Sequence, residues 1–177
     1  MVYPELQDVE LFFHSLAALK KSKPELTENL EFRYFGPNHQ LMDRLADAHN
    51  LAPLIVSSEP VAREVALDEQ EQADILVFFS FEFPGCLSGK IFEYIGAGKS
   101  ILALGPQNQE TTELLEECGQ KAGILSDANA IADAISDSLS EWKKQGSIAF
   151  IPSGNRDQYT RKAQAEVLND ILHKELR

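Results

Sequence analysis

The stretch Asp74-Ile75-Leu76-Val77-Phe78-Phe79-Ser80 decides the fold. Its apolar core, Ile75 to Phe79, runs without a polar alternate. Successive side chains of a strand point to opposite faces, so such a run predicts a strand covered on both sides. That is the situation of a strand inside a parallel sheet.

Working outward, the same rhythm recurs. Upstream, Leu30 to Phe35 is rich in strand formers and closes on the turn signal Gly36-Pro37, and Leu54-Ile55-Val56 is a second strand. Downstream come strands at Ser100 to Leu104 and Gly123 to Leu125. Between them lie amphipathic stretches. The first carries Leu6, Val9, Phe13, Leu16 and Ala17 on one face and ends at Lys20, Lys21 and Lys23 before Pro24. A second, capped by Asn38, buries Leu41, Met42, Leu45 and Ala48. Polar Val61 to Gln72, Ser88 to Ala97, Thr111 to Cys118 and a segment with Ile131, Ile135, Leu139 and Trp142 follow. A closing helix runs from about Asp157, aligning Tyr159, Ala163, Val167, Leu168, Ile171 and Leu172.

Strand starts at roughly 30, 54, 75, 100 and 123 leave room for one helix per strand. This predicts βαβ units, hence a Rossmann-like α/β fold with a doubly wound parallel sheet and helices on both faces. Residues 1–177 read as one domain, with 157–177 as its closing helix and Gly146 to Asp157 as the candidate hinge. The chain opens on a helix where such a sheet begins with a strand, and Met1-Val2-Tyr3 is too short to supply one. The first strand is therefore expected to be missing from this chain.

Composition narrows the function. A net charge of -12 argues against nucleic acid, whose phosphates demand surplus Lys and Arg, and against docking on anionic lipid. Cys86 and Cys118 are too few for a disulfide framework or a zinc site. His14, His39, His49 and His173 fall on separate elements without metal spacing, so no metal is expected. The longest apolar run falls far short of the ~20 residues that span a bilayer, and no secretory signal opens the chain. A cytoplasmic protein is the expectation.

Ligands of open α/β sheets sit beyond the carboxyl ends of the strands. The loop after the most buried strand, Ser80 to Ser88, leads into Gly89-Lys90-Ile91-Phe92-Glu93-Tyr94-Ile95-Gly96-Ala97-Gly98-Lys99-Ser100. Gly85 and Gly89 let backbone approach a ligand, and the helix start offers amides and a positive dipole end to an anion. Lys90 adds a full charge there, and Glu93, near one turn on, can face the same side. A carboxylate so placed could accept hydrogen bonds from two ribose hydroxyls while Lys90 and the amides hold phosphate. An ordinary solvent-exposed Lys90–Glu93 pair is the competing reading. Gly96 and Gly98 are expected to serve helix-to-sheet packing and a C-terminal cap. Phe92 and Tyr94 read as core residues.

Together with Ala73 to Val77, the segment Gly89 to Ala103 resembles the donor-binding motif of retaining glycosyltransferases of family 4 (group 1 type). In these a K-x-F-E-Y-x-A-A-G-K-P-I-L-A stretch follows the strand and loop. Gly96 and Ser100 replace an alanine and the proline. The resemblance extends more weakly over nearly the whole chain and implies the C-terminal, donor-binding half of a GT-B enzyme. It implies that Glu93 binds ribose, that Lys90 lies near the diphosphate, and that Gly85, Cys86, Leu87 and Ser88 line the donor site. Relatives carry a second glutamate where this chain has Gly85; Glu82, three residues earlier, is the substitute candidate for a catalytic carboxylate. They also carry a basic phosphate clamp where this chain has Tyr3 to Asp8, with no base; Arg63 is the nearest unassigned cation. Arg63 also reads as a solvated helix charge, and His39, at a strand's carboxyl end, could reach the cleft.

The implied function is binding of a nucleoside-diphosphate sugar, UDP- or GDP-linked, for transfer by a full-length enzyme, with polysaccharide assembly as one setting. No cofactor or metal is implied. The partner would be an acceptor-binding N-terminal domain outside this chain, and the isolated chain would be inactive. The full-length enzyme could sit peripherally at the inner face of the membrane. Two alternatives stay open: a degenerate nucleotide-binding or interaction domain without catalysis, and half of a sugar-nucleotide epimerase of the same fold.

Overall fold

The computed structural model describes residues 3, 5–81, 83, 87–120, 123–148, 150 and 156–175. Along them run α1 (Val9–Ser22), α2 (Pro24–Thr27), β1 (Phe32–Phe35), α3 (His39–Ala48), β2 (Ile55–Ser58) and α4 (Arg63–Gln72). Then follow β3 (Ile75–Phe79), α5 (Gly89–Ala97), β4 (Ser100–Leu104), α6 (Gln109–Glu117), α7 (Ala128–Gln145) and α8 (Arg161–Glu175). No helix among these residues is long and apolar enough to cross a membrane.

The fold is Rossmann-like α/β, with parallel strands between helical layers. β1 pairs with β2, from Phe32 opposite Ile55 to Phe35 opposite Ser58. β3 pairs with β4, from Ile75 opposite Ser100 to Phe79 opposite Leu104. Among the described residues no backbone hydrogen bond joins β1 to β3, so the strands form two parallel pairs.

Both faces of the β3–β4 pair are covered, as its unalternated sequence predicts. Phe79 and Leu104, with Val77 and Leu102, pack towards Phe12, Phe13 and Leu16 of α1 and Ile131 and Ile135 of α7. Phe78, Ile101 and Ala103 face the other way, onto Ile91 and Ile95 of α5 and Leu114 and Leu115 of α6. A fully buried Phe, Leu or Ile side chain among these contributes about 1.5–3 kcal/mol. Phe13 is completely buried, whereas Leu6, expected on the same face, is exposed before the helix begins. On α3, Ala46 is buried where Ala48 was expected, because Ala48 is the helix's last residue and turns to solvent. Asn38 holds the cap position of α3 without a side-chain capping bond.

Several boundaries differ from the sequence expectation for local reasons. Pro24 does end α1, with Lys23 as its C-cap, but its fixed φ also opens the short α2. Leu54 falls in a 3-10 turn, Ala52–Leu54, so β2 begins at Ile55. The closing helix starts at Arg161 rather than near Asp157, since Arg156–Tyr159 form a 3-10 turn. Of the candidate hinge, 149 and 151–155 lie outside the described residues.

The expected strand at Gly123 to Leu125 shrinks to one bridge, Leu104 with Leu125. Amide side chains take over the pairing along that border. Gln107 Nε2 donates to the Ile124 carbonyl at 2.7 Å. Buried Gln120 accepts from Ile101 N–H at 2.9 Å and donates to the Lys99 carbonyl at 3.1 Å. With these groups satisfied, a longer strand is not required.

Candidate functional site

The chain winds outward in two directions: β1 to β2 on one side, β3 to β4 to Leu125 on the other. The reversal lies between β1 and β3, and in open α/β sheets the crevice at the carboxyl ends of such strands receives ligands. Phe81, just after β3, and Ser88 and Lys90, at the start of α5, border that crevice.

Ser88 caps α5, its hydroxyl accepting from Lys90 N–H at 3.3 Å. Lys90, in the first helical turn, donates through Nζ to Glu93 Oε2 at 2.6 Å. Arg63, the first residue of α4, donates to Glu93 Oε1 at 3.3 Å. One carboxylate is thus shared by two cations from neighbouring helix starts. Burial pushes the Glu93 carboxyl up, but the hydrogen bond and charge of Lys90, then those of Arg63, outweigh it and hold it below the ordinary carboxylate range. Next to it, burial, then the Glu93 charge, push the Tyr94 hydroxyl up to about 12.

Sequence reading found the Lys90–Glu93 pair because it lies within one helical turn. Arg63 joins it from α4, so its role as a merely solvated charge is replaced by an ion pair, although its side chain stays 64% exposed. His39 opens α3, and its carbonyl accepts from the Ser57 hydroxyl at 3.2 Å. Among the described residues no hydrogen bond or ion pair joins it to Lys90, Glu93 or Arg63. Leu87 and Phe83 are exposed on the loop. Glu82, Gly85 and Cys86 lie outside the described residues.

Of the motif glycines, Gly98 is the C-cap, at φ 67°, with Arg156 3.0 Å from where a Cβ would stand. Gly96 differs from expectation. A Cβ there would meet nothing within 4 Å, so it takes no part in close packing. Gly89 likewise faces open space at the helix start.

Three positions that the sequence reading passed over shape this edge. Buried Asn108 caps α6 by accepting from Thr111 N–H at 2.9 Å and donates to the Phe83 carbonyl at 3.0 Å, tying the loop to the next helix start. Buried Gln7 donates to the Phe79 carbonyl at 2.6 Å. Gly105 (φ 116°) passes beside Ser80, whose buried hydroxyl has no hydrogen-bond partner. The signal for Asn108 was its spacing, three residues before Thr111 and just ahead of a helix.

Away from this edge, the histidines are not all apart. His14 and His49 stack edge to face at 4.5 Å, and with Glu10 they bring three ligand atoms within 4.8 Å of one another. No metal spacing is visible along the chain because His49 reaches the pair from the C-cap of α3. All three side chains lie on the surface side of α1 and α3, and Glu10 and His14 are exposed.

No family model and no curated protein matches the chain. Among solved structures, the chain is similar to the pneumococcal O-GlcNAc transferase GtfA, crystallised in complex with UDP and GlcNAc. The TM-score is 0.53 at 15% identity, over 95% of this chain. The chain spans 32% of that structure's length. The likeness supports the fold assignment.

Proposed function

We propose that the chain binds a nucleoside-diphosphate sugar at the carboxyl edge of β3, as the donor half of a retaining glycosyltransferase. The observation that carries the reading is the Glu93 carboxylate held between Lys90 and Arg63 at two helix starts. It puts an acceptor for a ribose diol beside cationic and amide groups suited to a diphosphate. The motif resemblance points to the same residues, and the fold likeness to a sugar transferase supports it in broad outline.

Magnitudes favour exchange on binding. Partly exposed ion pairs are worth only about 0–1 kcal/mol each. A diphosphate can therefore draw Lys90 and Arg63 away from Glu93 at small cost, which frees the carboxylate for the ribose hydroxyls. Leu87, Ser88 and, outside the described residues, Gly85 and Cys86 would line the donor. Glu82 would be the carboxylate nearest the sugar, and His39 a further group at the same sheet edge. Transfer would also require an acceptor-binding domain, and catalysis would rest on positioning and on stabilising the departing diphosphate. We assign no metal or other cofactor to the reaction, and a cytoplasmic setting to the enzyme.

Calorimetric titration with UDP, GDP and ADP tests the reading. Saturable binding of one nucleotide is expected, with Glu93→Ala weakening it ~10-fold or more, about 1.4 kcal/mol. Lys90→Ala should weaken the diphosphate but leave affinity for the free nucleoside unchanged. Binding that ignores Glu93→Ala would refute the assignment of the site.

A further inference from the structure

A cluster of metal-binding side chains lies where α1 passes the end of α3. Glu10 and His14 stand four residues apart on α1, hence on one face of it. His49, the C-cap residue of α3, meets them from the neighbouring helix. One ligand atom from each of the three side chains lies within 4.8 Å of the other two. His14 Nε2 and Glu10 Oε1 are 3.9 Å apart, longer than a hydrogen bond. The imidazoles of His14 and His49 meet edge to face, with centroids 4.5 Å apart. An ordinary helical pair of Glu10 with His14 accounts for two of these side chains. It gives no reason for a second imidazole to lie against the first.

The backbone under the cluster is fixed without any ion. Leu51 N–H donates to the Ala46 carbonyl at 2.7 Å and closes the end of α3, through Asn50 in the left-handed region at φ 56°. Lys20 Nζ of α1 donates to the Asn50 carbonyl at 2.6 Å, tying that turn to the helix that carries Glu10 and His14. From the inner side, the His49 ring lies against completely buried Phe13, with centroids 6.4 Å apart. Glu10 and His14, by contrast, have side chains more than half exposed, so both can turn towards an arriving ion. Tetrahedral zinc, bound at about 2.0–2.2 Å, holds its ligand atoms roughly 3.3–3.5 Å apart. The three atoms therefore need to draw together by about 1.5 Å or less, which side-chain rotation alone can supply.

The donor set selects the ion. Two imidazoles and one carboxylate suit zinc and its first-row neighbours, whereas magnesium and calcium take oxygen ligands. A net charge of -12 attracts cations to the whole surface, and the imidazoles single out one place on it. We propose that Glu10, His14 and His49 form a zinc site, its fourth position left to water, that clips α1 to the end of α3. α3 starts at His39, on the nucleotide edge, and runs ten residues to Ala48. The clip stands at its other end, about 15 Å away, and is independent of the donor-site reading.

Calorimetric titration of the chain with zinc chloride, in a buffer that does not bind metal, tests the site. One zinc ion per chain is expected to bind saturably. His14→Ala and His49→Ala should each weaken it ~10-fold or more, because groups that merely support the ligands of a metal site already matter that much. His173→Ala, on α8, should leave it unchanged. On zinc addition the ring resonances of His14 and His49 should move together in NMR spectra, and those of His173 should stay. Zinc at 100 times its dissociation constant should raise the thermal unfolding midpoint by about 5 °C or more, and should not do so in His14→Ala. Since the His14 side chain is exposed, His14→Ala should unfold at the parent's midpoint without zinc, which separates a lost ligand from a lost fold. Absence of saturable binding, or binding that survives His14→Ala or His49→Ala at parental strength, would overturn the site. Equal weakening by His173→Ala would do the same, as it would reveal diffuse attraction to an acidic surface. Binding that leaves the unfolding midpoint unmoved would overturn the clip.

Discussion

Glu93 is the residue on which most of the site's chemistry converges, and its environment has a measurable signature. Its carboxyl is held below the ordinary 4.5 in the folded chain. As pH falls, the unfolded chain takes up this proton first, near its ordinary value, and the folded chain only later. The stability contributed by the group is therefore complete above pH 4.5 and is lost progressively as pH falls through the lower folded value. Glu93→Gln should flatten the acid limb of stability measured by urea unfolding, while changing neutral-pH stability by about 1 kcal/mol or less. An acid limb identical to the parent's would mean that the Lys90 and Arg63 contacts do not form in solution. Gly96 gives a contrasting case. It lies inside α5 with open space around it, so Gly96→Ala should stabilise by about 0.5–1 kcal/mol, read as a higher urea midpoint. A loss of stability would show that the open space is occupied. The Lys90–Glu93 pair was legible in the sequence because a helix brings near neighbours together. Arg63 was not, because its approach depends on how α4 and α5 pack after two different strands.

At the scale of elements, β3 and β4 were the most legible parts. Their apolar runs reflect burial on two faces, and the structure sends alternate residues to two separate cores. Short or amide-bordered elements were less so. The bridge at Leu125 replaced an expected strand because Gln107 and Gln120 satisfy backbone groups that a strand would otherwise pair. Such long-range side-chain bonds leave no periodic trace. Asn108 is the element junction with the largest expected effect, since one buried side chain both caps α6 and holds the loop after β3. Asn108→Ala should cost about 1–2 kcal/mol in urea unfolding. A change within a few tenths would show that loop and helix are held by other contacts.

Over the whole molecule, the reversal of winding between β1 and β3 explains why the cations of an acidic chain, net charge -12, matter locally. Lys90 and Arg63 stand at helix starts on one edge, where the dipoles of α4 and α5 add to their charge. The same reversal is where the strand layer is open, so the architecture predicted from spacing is present as two pairs flanking a gap. The likeness to the O-GlcNAc transferase structure covers 95% of this chain and 32% of that one, and it supports the fold. α8 presents Val167, Leu168, Ile171 and Leu172 outward, each more than half exposed. We propose that nucleotide binds at the start of α5 and is held by Glu93 and Lys90. The most direct test is a titration of the isotope-labelled chain with UDP and GDP, followed by amide NMR shifts. Saturable shifts concentrated in Leu87 to Glu93 and around Arg63 are expected, with their loss in Glu93→Ala. Shifts that instead spread through the β1–β3 cleft, or that survive Glu93→Ala unchanged, would contradict it.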